Sequence, residues 1–277
     1  MTKQIYAVIG GEVAPDLDGV YGVSAAGLTA VVGDSEVEDY RLLPQEELLK
    51  HLVQHQQVVE QLMADYAVLP IQFGSLLRED EQIGRMLGAN QQRFSDLLDE
   101  LQGLVQMELV VLWESAAVFN EIAAELDIPR INASLVGKTE GEIQAKQAEI
   151  GLKVQQSLAE RQGVLERMLR DETAGFARGV IKNPQMDENM AVNLGVLLAE
   201  GDLPLLDSAL ESMDEKTDGR YLLRCVGPLP PHSFVKISVL APQPQVIHEA
   251  RIRLGLGTEA TQKEIQQAYH ARSQQVH

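Results

Sequence analysis

Two histidines, His51 and His55, come nearest in this chain to a pair of metal ligands. Four residues apart on a helix, they would face one side, the spacing at which zinc proteases bring two imidazoles to one ion. That motif places a glutamate directly after the first histidine. Leu52 stands there instead, and the pair reads as a solvated helix face. Asp96 with Asp99 or Glu100 repeats at helical spacing, but on so acidic a chain such pairs are expected in water. Ser75 and Cys225 are possible nucleophiles, yet neither has a histidine nearby in sequence to act as base. The glycine-rich stretch GGEVAPDLDG (10–19) lacks the Lys-Ser/Thr of a phosphate loop, and GVYGVSAAG (19–27) sits in a hairpin context instead of opening a helix. No G-x-S-x-G element occurs. The missing constellations point to a protein that is not an enzyme, with no cofactor and no metal.

Composition narrows the partners. The chain has 277 residues, 45% of them hydrophobic, enough for two ordinary domains with a buried core. Its 23 Lys+Arg against 41 Asp+Glu give a net charge of −18, which repels phosphate backbones and anionic lipid headgroups. Nucleic acid and membrane are therefore excluded as first partners, and a basic or weakly charged apolar protein surface fits better. A lone cysteine, Cys225, permits no internal disulfide, and MTKQIYAVIGGEV reads as a first strand with no secretory pattern, so a reducing cytoplasm is expected. No segment approaches the roughly 18 apolar residues of a membrane span.

The elements that must position any site follow from periodicity. Over residues 1–113, QIYAVIG, the pair VYGVSA and LTAVVGD around Ala26-Gly27, VLPIQFGSLL (68–77) and LVQMELVVLWE (104–114) read as strands. Between them, residues 45–66 form a helix with Leu48, Leu49, Leu52, Val58, Val59, Leu62 and Met63 on its apolar face, and residues 79–102 form another. A split βαβ sheet of ferredoxin-like type, with its helices on one face, satisfies this order. In residues 114–239, SAAVFNEIAAEL is helical, DIPRINASLVG connects, and residues 140–171 form a long helix that Gly151 and Gly163 could bend. GFARGVIKN, MAVNLGVLLAE and RYLLRCVG follow as strands, with LPLLDSALESMDE a helix between the last two. The fold class is α+β, in two domains, with LAPQPQ (240–245) as a proline-punctuated linker to a helical tail at 240–277.

Two segments carry more constraint than a loop needs. In VLPIQFG, Pro70 cannot donate to a ladder and belongs at a sheet edge, Gly74 permits a turn, and Leu69 and Phe73 are apolar anchors. In GPLPPHSFVKI (227–237), Gly227, Pro228, Pro230 and Pro231 make a stiff exit from a strand, anchored by Phe234. The plain reading of both is a rigid junction around a core; the alternative is direct partner contact.

These same residues carry a resemblance. VLPIQFG, then a helix, then L-x-G-x-V-x-M-E-L-x-V-x-W from Leu101 to Trp113, resembles the N-terminal half of the gas vesicle F/L protein family. GPLPPHSFV resembles that family's Gly-Pro-Trp-Pro-Pro-Tyr-Ser-Phe signature, with Leu229 in place of Trp and His232 in place of Tyr. The similarity runs over roughly residues 3–238, with the motifs in order. It implies a modified ferredoxin-like N-domain, an α+β C-domain, and a structural or assembly role in gas vesicles. It also implies contact with the small hydrophobic shell protein and other accessory proteins, and a location both at the gas vesicle shell and in the cytoplasm.

The tail ARIRLGLGTEATQKEIQQAYHARSQQVH (250–277) is similar to the opening of a J-domain: Leu254-Gly255-Leu256, Thr261, Glu264-Ile265 and Ala268-Tyr269 fall at that module's positions. The His-Pro-Asp loop that such a domain uses on its Hsp70 partner is not reached. A docking remnant, part of a longer protein and a coincidental amphipathic tail all remain open. A second function class follows from it, a chaperone adaptor whose body holds a client while the tail recruits Hsp70.

Overall fold

The first apolar run forms β1 (Thr2–Gly10), in which Ile5, Tyr6, Ala7, Val8 and Ile9 are all buried. The computed structural model describes residues 1–240 and 244–273. β2 (Tyr21–Ala25) and β3 (Leu28–Ser35) form the expected hairpin, and Ala26 and Gly27 take φ of 55° and 77°. Positive φ at both central residues is the type I′ turn whose twist suits paired strands. There follow α1 (Gln45–Met63), β4 (Val68–Pro70), β5 (Leu76–Leu77), α2 (Asp80–Ala89) and α3 (Gln91–Leu101). The strand order is β2-β3-β1-β4, with β5 also on β1, and every pair is antiparallel. β3 and β4, joined through α1, are each antiparallel to β1 between them and so parallel to each other, the split βαβ unit of the ferredoxin-like plan. The modification lies in the other crossover, where residues 11–20 link β1 to β2 as a loop with no helix.

Helices cover both faces of this sheet, where one face was expected. Val58, Val59 and Leu62 of α1 pack on Tyr6, Ala7, Ile9 and Val31. On the other face, Ile83, Leu87, Phe94 and Leu98 of α2 and α3 pack on Ile5, Val8, Leu28, Ala30 and Val32. A register shift between Ile5 and Ala7 puts Tyr6 and Ala7 on the same side, so β1 feeds both layers despite its two-residue period. Residues 79–102, read as one helix, are two. The Asn90 side chain donates to the Met86 carbonyl at 2.8 Å, and its backbone leaves the helical region, the competition with the helix that asparagine offers.

The second sheet is built from β6 (Leu104–Leu112), β7 (Gly179–Lys182), β8 (Met190–Ala199) and β9 (Leu222–Leu229), antiparallel in the order β7-β8-β6-β9. β6, which completed the first region's pattern, therefore pairs in the second sheet. The reason is partner length: nine residues of β6 find a ladder along β8, whereas β4 offers three. Val105, Met107, Leu109 and Val111 then join Val192, Leu194, Val196 and Leu198 in one apolar layer.

That layer is covered by α4 (Ser115–Glu125), the end of α6 (Glu140–Thr173), and α7 (Leu203–Lys216), through Val118, Ile122, Leu165, Leu169, Leu206 and Met213. The connector DIPRINASLVG contains a short helix, α5 (Ile128–Ser134). α6 runs unbroken through Gly151 and Gly163, about 50 Å long at 1.5 Å per residue. A Thr139–Glu142 capping box starts it, and only its last third is buried.

The tail holds α8 (Pro244–Leu254) and α9 (Gln262–Ser273). Residues 241–243 of the proline-punctuated linker, and 274–277, lie outside the described residues. No helix among the described residues is long and apolar enough to cross a membrane.

Candidate functional site

The two constrained segments meet. After Pro70 the chain makes a turn in which the Ser75 amide donates to the Gln72 carbonyl at 3.2 Å, with Gly74 at φ +86°. That is the geometry of a type II turn, whose third position requires positive φ. The second segment begins within β9 at Gly227, leaves the strand after Leu229, passes the buried Pro230 and Pro231, and runs alongside this turn. Ile71 and Ile237 form a parallel bridge, the Gln72 amide donates to the Ile237 carbonyl at 2.7 Å, and the Val239 amide donates to Ser75 Oγ at 3.1 Å. The 227–239 segment thus caps the open edge beside β4 and ties the two sheets together.

Beneath the turn lies a polar chain that the sequence reading missed. Tyr40 Oη–H donates to Gln4 Oε1, Gln4 Nε2–H donates to His55 Nδ1 at 2.9 Å, and His55 Nε2–H donates to the Ile71 carbonyl at 2.9 Å. Because the glutamine nitrogen can only donate, His55 is the neutral tautomer protonated on Nε2. His55 is buried, and burial pulls its pKa down to about 4, against a smaller opposing effect of the Ile71 carbonyl. Phe73 packs against this chain, tilted to the Tyr40 ring at 4.5 Å and edge-on to that of His55 at 5.6 Å between ring centres.

The solvated-face reading of His55 is therefore corrected. With Val58, Val59 and Leu62 it completes an i, i+3, i+4, i+7 stripe, a signal present in the sequence but outweighed by residue type. His51 is half-buried against the Tyr40 ring, so the two histidines do not converge on an ion. Leu49 and Leu52, assigned to the core stripe, are exposed.

On the second sheet, Gln106 is completely buried and grips Ser233 at two points: Oε1 accepts from the Ser233 amide at 2.9 Å, and Nε2 donates to its Oγ at 3.0 Å. His232 Nδ1 lies 2.9 Å from the Pro230 carbonyl, and its Nε2 lies 3.7 Å from a Glu108 oxygen. Phe234 is half-buried, lying over Gly179 and Gly195 of β7 and β8 and joining Leu197 in the first sheet's apolar layer. A cleft of about 260 Å³ remains where the two segments and α1 meet, lined by Leu52, His55, Phe73, Pro230, His232 and Val235, among others.

Of the residues singled out in sequence, Pro70, Phe73, Gly74, Pro230, Pro231 and Phe234 gather at this seam. Pro70 sits on the edge strand opposite Ala7. Leu69 is wholly buried behind it, on the α2–α3 side. Gly227 and Pro228 are exposed at the end of β9, joined by a cis peptide bond. Trp113 stands apart, just past the far end of β6, roughly 20 Å along the strand from Gln106. Its Nε1–H donates to the Glu188 carbonyl at 2.9 Å, and it packs in the second core. Ser75 Oγ accepts the Val239 amide and both nitrogens of His55 are engaged, so the seam's polar groups serve hydrogen bonding within an apolar packing.

Comparison with known proteins gives a consistent picture. The family model described as gas vesicle synthesis protein GvpL/GvpF matches residues 4–236. Gas vesicle protein F of a Nostoc species is 25% identical over 224 residues, spanning 79% of this chain and 88% of that protein. Gas vesicle protein L1 of Halobacterium salinarum is 27% identical over 229 residues, spanning 78% and 80%. Among solved structures, GvpF from Anabaena superposes with a TM-score of 0.69 at 23% identity, covering 86% of this chain and 99% of that one. GvpF from Microcystis aeruginosa gives 0.68 at 19%, covering 84% and 98%.

Proposed function

Since the chain belongs to the gas vesicle synthesis protein GvpL/GvpF family, we propose that it is a structural or assembly factor that contacts the small hydrophobic shell protein and other gas vesicle proteins. The match over residues 4–236 carries this reading. An escort for apolar subunits needs a charged body with limited apolar patches, and a chain of net charge −18 with the half-exposed Leu49, Leu52 and Val53 on α1 meets that description. The seam fits the role of frame. It fixes one sheet against the other with hydrogen bonds and a phenyl ring, which supports a rigid binding body over a catalytic cleft. Working location follows from the same reading, at the gas vesicle and, during assembly, in the cytoplasm around it.

The test is capture of the small shell protein by the purified chain at low and high salt. Capture that persists at high salt supports an apolar assembly contact. No capture at either salt overturns direct shell contact. Stimulation of an Hsp70 ATPase by the full chain, without shell-protein capture, would establish the adaptor reading instead.

A further inference from the structure

The tail differs from the body in both packing and charge. No described residue of α8 or α9 is buried, and an open apolar groove of about 400 Å³ runs between them, lined by Val246, Ile247, Ala250, Leu254, Leu256 and Ile265. Arg251 lines this groove as well, and Arg253 and Lys263 lie on the same two helices. From residue 241 onward, four Lys/Arg stand against three Glu, so the body carries the whole negative charge of the chain.

On the body, α1 presents the converse surface. Leu49, Leu52 and Val53, at i, i+3 and i+4, are 57%, 45% and 47% exposed and form a ridge. The same helix bears Glu46, Glu47 and Glu60 against a single Lys50. A ridge of apolar side chains on a helix with an excess of acids, and an apolar two-helix groove with Arg251 in its lining, are complementary in polarity and charge.

We infer that the α8–α9 groove of one copy receives the α1 ridge of a second copy of this chain. The tail leaves the body at Leu240, next to the Val239–Ser75 hydrogen bond and beside the turn that carries Phe73, yet its own body leaves the groove open. The contact joins two different surfaces, so it is head-to-tail: each added copy exposes a fresh groove and a fresh ridge, and the assembly closes into a ring or grows as a file. Its electrostatic part also makes it sensitive to salt.

The direct test uses the full chain, immobilised through its N-terminus, and a copy ending at Leu240 as the soluble partner. The truncated copy has the ridge and no groove, so its binding reads the tail-to-body contact alone. Binding is expected, weakening as salt rises, and Leu52→Glu with Val53→Glu in the truncated copy should lower affinity by at least about tenfold. These side chains are exposed, so far-UV circular dichroism of that variant should match the parent. Leu49→Glu provides an independent ridge variant should the double substitution disturb α1. In parallel, light scattering should show the mass of the full chain rising with concentration while the truncated chain stays monomeric.

Absence of binding overturns the inference, as does binding that both ridge variants leave unchanged. So does a monomeric full chain whose tail amides are protected from exchange, which would place the tail on its own body. A tail that engages only other gas vesicle proteins, with no self-association, overturns it as well.

Discussion

Gly74 and Gly227 sit in the two segments that meet at the seam, and they are glycines for different reasons. At Gly74 the backbone has φ +86°, but an added Cβ would find nothing closer than the Tyr40 ring at 3.9 Å. Only the conformation excludes other residues there. At Gly227 φ is +144°, and a Cβ would stand 2.6 Å from Met107 Sδ and 2.9 Å from the Gln106 carbonyl oxygen. A methionine tip can swing away, whereas a carbonyl fixed in β6 cannot. One segment is constrained by torsion alone and the other by torsion and crowding together, so they should fail differently under substitution.

The strongest test of that contrast is Gly227→Val. The new side chain strikes the β6 backbone where Gln106 holds Ser233, so the cost should exceed about 4 kcal/mol and the seam should open. Thermal melting checks it. A loss no greater than that of Gly74→Val would erase the distinction between the two sites.

The next effect is a pH dependence on the Gly74 side, carried by His55. In the folded state His55 titrates near 4, below the ordinary histidine value of 6.5. Well above pH 6.5 it is neutral in both states and contributes no slope. As pH falls from 6.5 towards 4, the unfolded chain takes up a proton that the folded chain refuses, and stability drops by an amount on the order of 3 kcal/mol. Urea midpoints measured between about pH 7 and pH 5 test this above the main carboxylate range. His55→Gln should flatten the slope there, and an unchanged slope would remove His55 as its source.

On the Gly227 side the corresponding polar element is Gln106, which carries no charge and so brings no pH dependence. Gln106→Leu leaves the Ser233 amide without its acceptor inside a tight seam and leaves the hydroxyl only a long bond to Asn183 at 3.5 Å, and should cost about 2 kcal/mol. Ser233→Ala should cost less, because the backbone amide keeps its acceptor. Denaturant unfolding of both variants measures the difference. Equal losses would mean that the hydroxyl, and not the amide, carries the grip.

What the sequence made legible tracks how local the cause was. The hairpin at Ala26-Gly27, the length of α6 and the edge position of Pro70 follow from neighbours a few residues apart. The pairing of β6 with β8 is decided by a competition between ladders nearly a hundred residues apart in the chain, and alternation in LVQMELVVL is equally compatible with either sheet. The seam was half legible. Its prolines and glycines stood out as punctuation, but Gln4, Tyr40, His55 and Gln106 are polar residues made internal by partners distant in sequence, and their types suggested solvent. His55 alone carried a local clue, through its register with Val58, Val59 and Leu62.

The smallest effect separates the two glycines most cleanly. Asparagine tolerates positive φ better than other residues with a Cβ, because its short side chain hydrogen-bonds locally. At Gly74, where space is open, Gly74→Ala should cost about 1 kcal/mol and Gly74→Asn only part of that. At Gly227 the first side-chain carbon already collides, so Gly227→Asn should recover nothing relative to Gly227→Ala. Four melting curves decide the matter. An asparagine advantage at Gly74 and none at Gly227 assigns torsion to one junction and contact to the other; an equal advantage at both would mean that the Gln106 carbonyl yields, and that β6 is softer at the seam than its burial suggests.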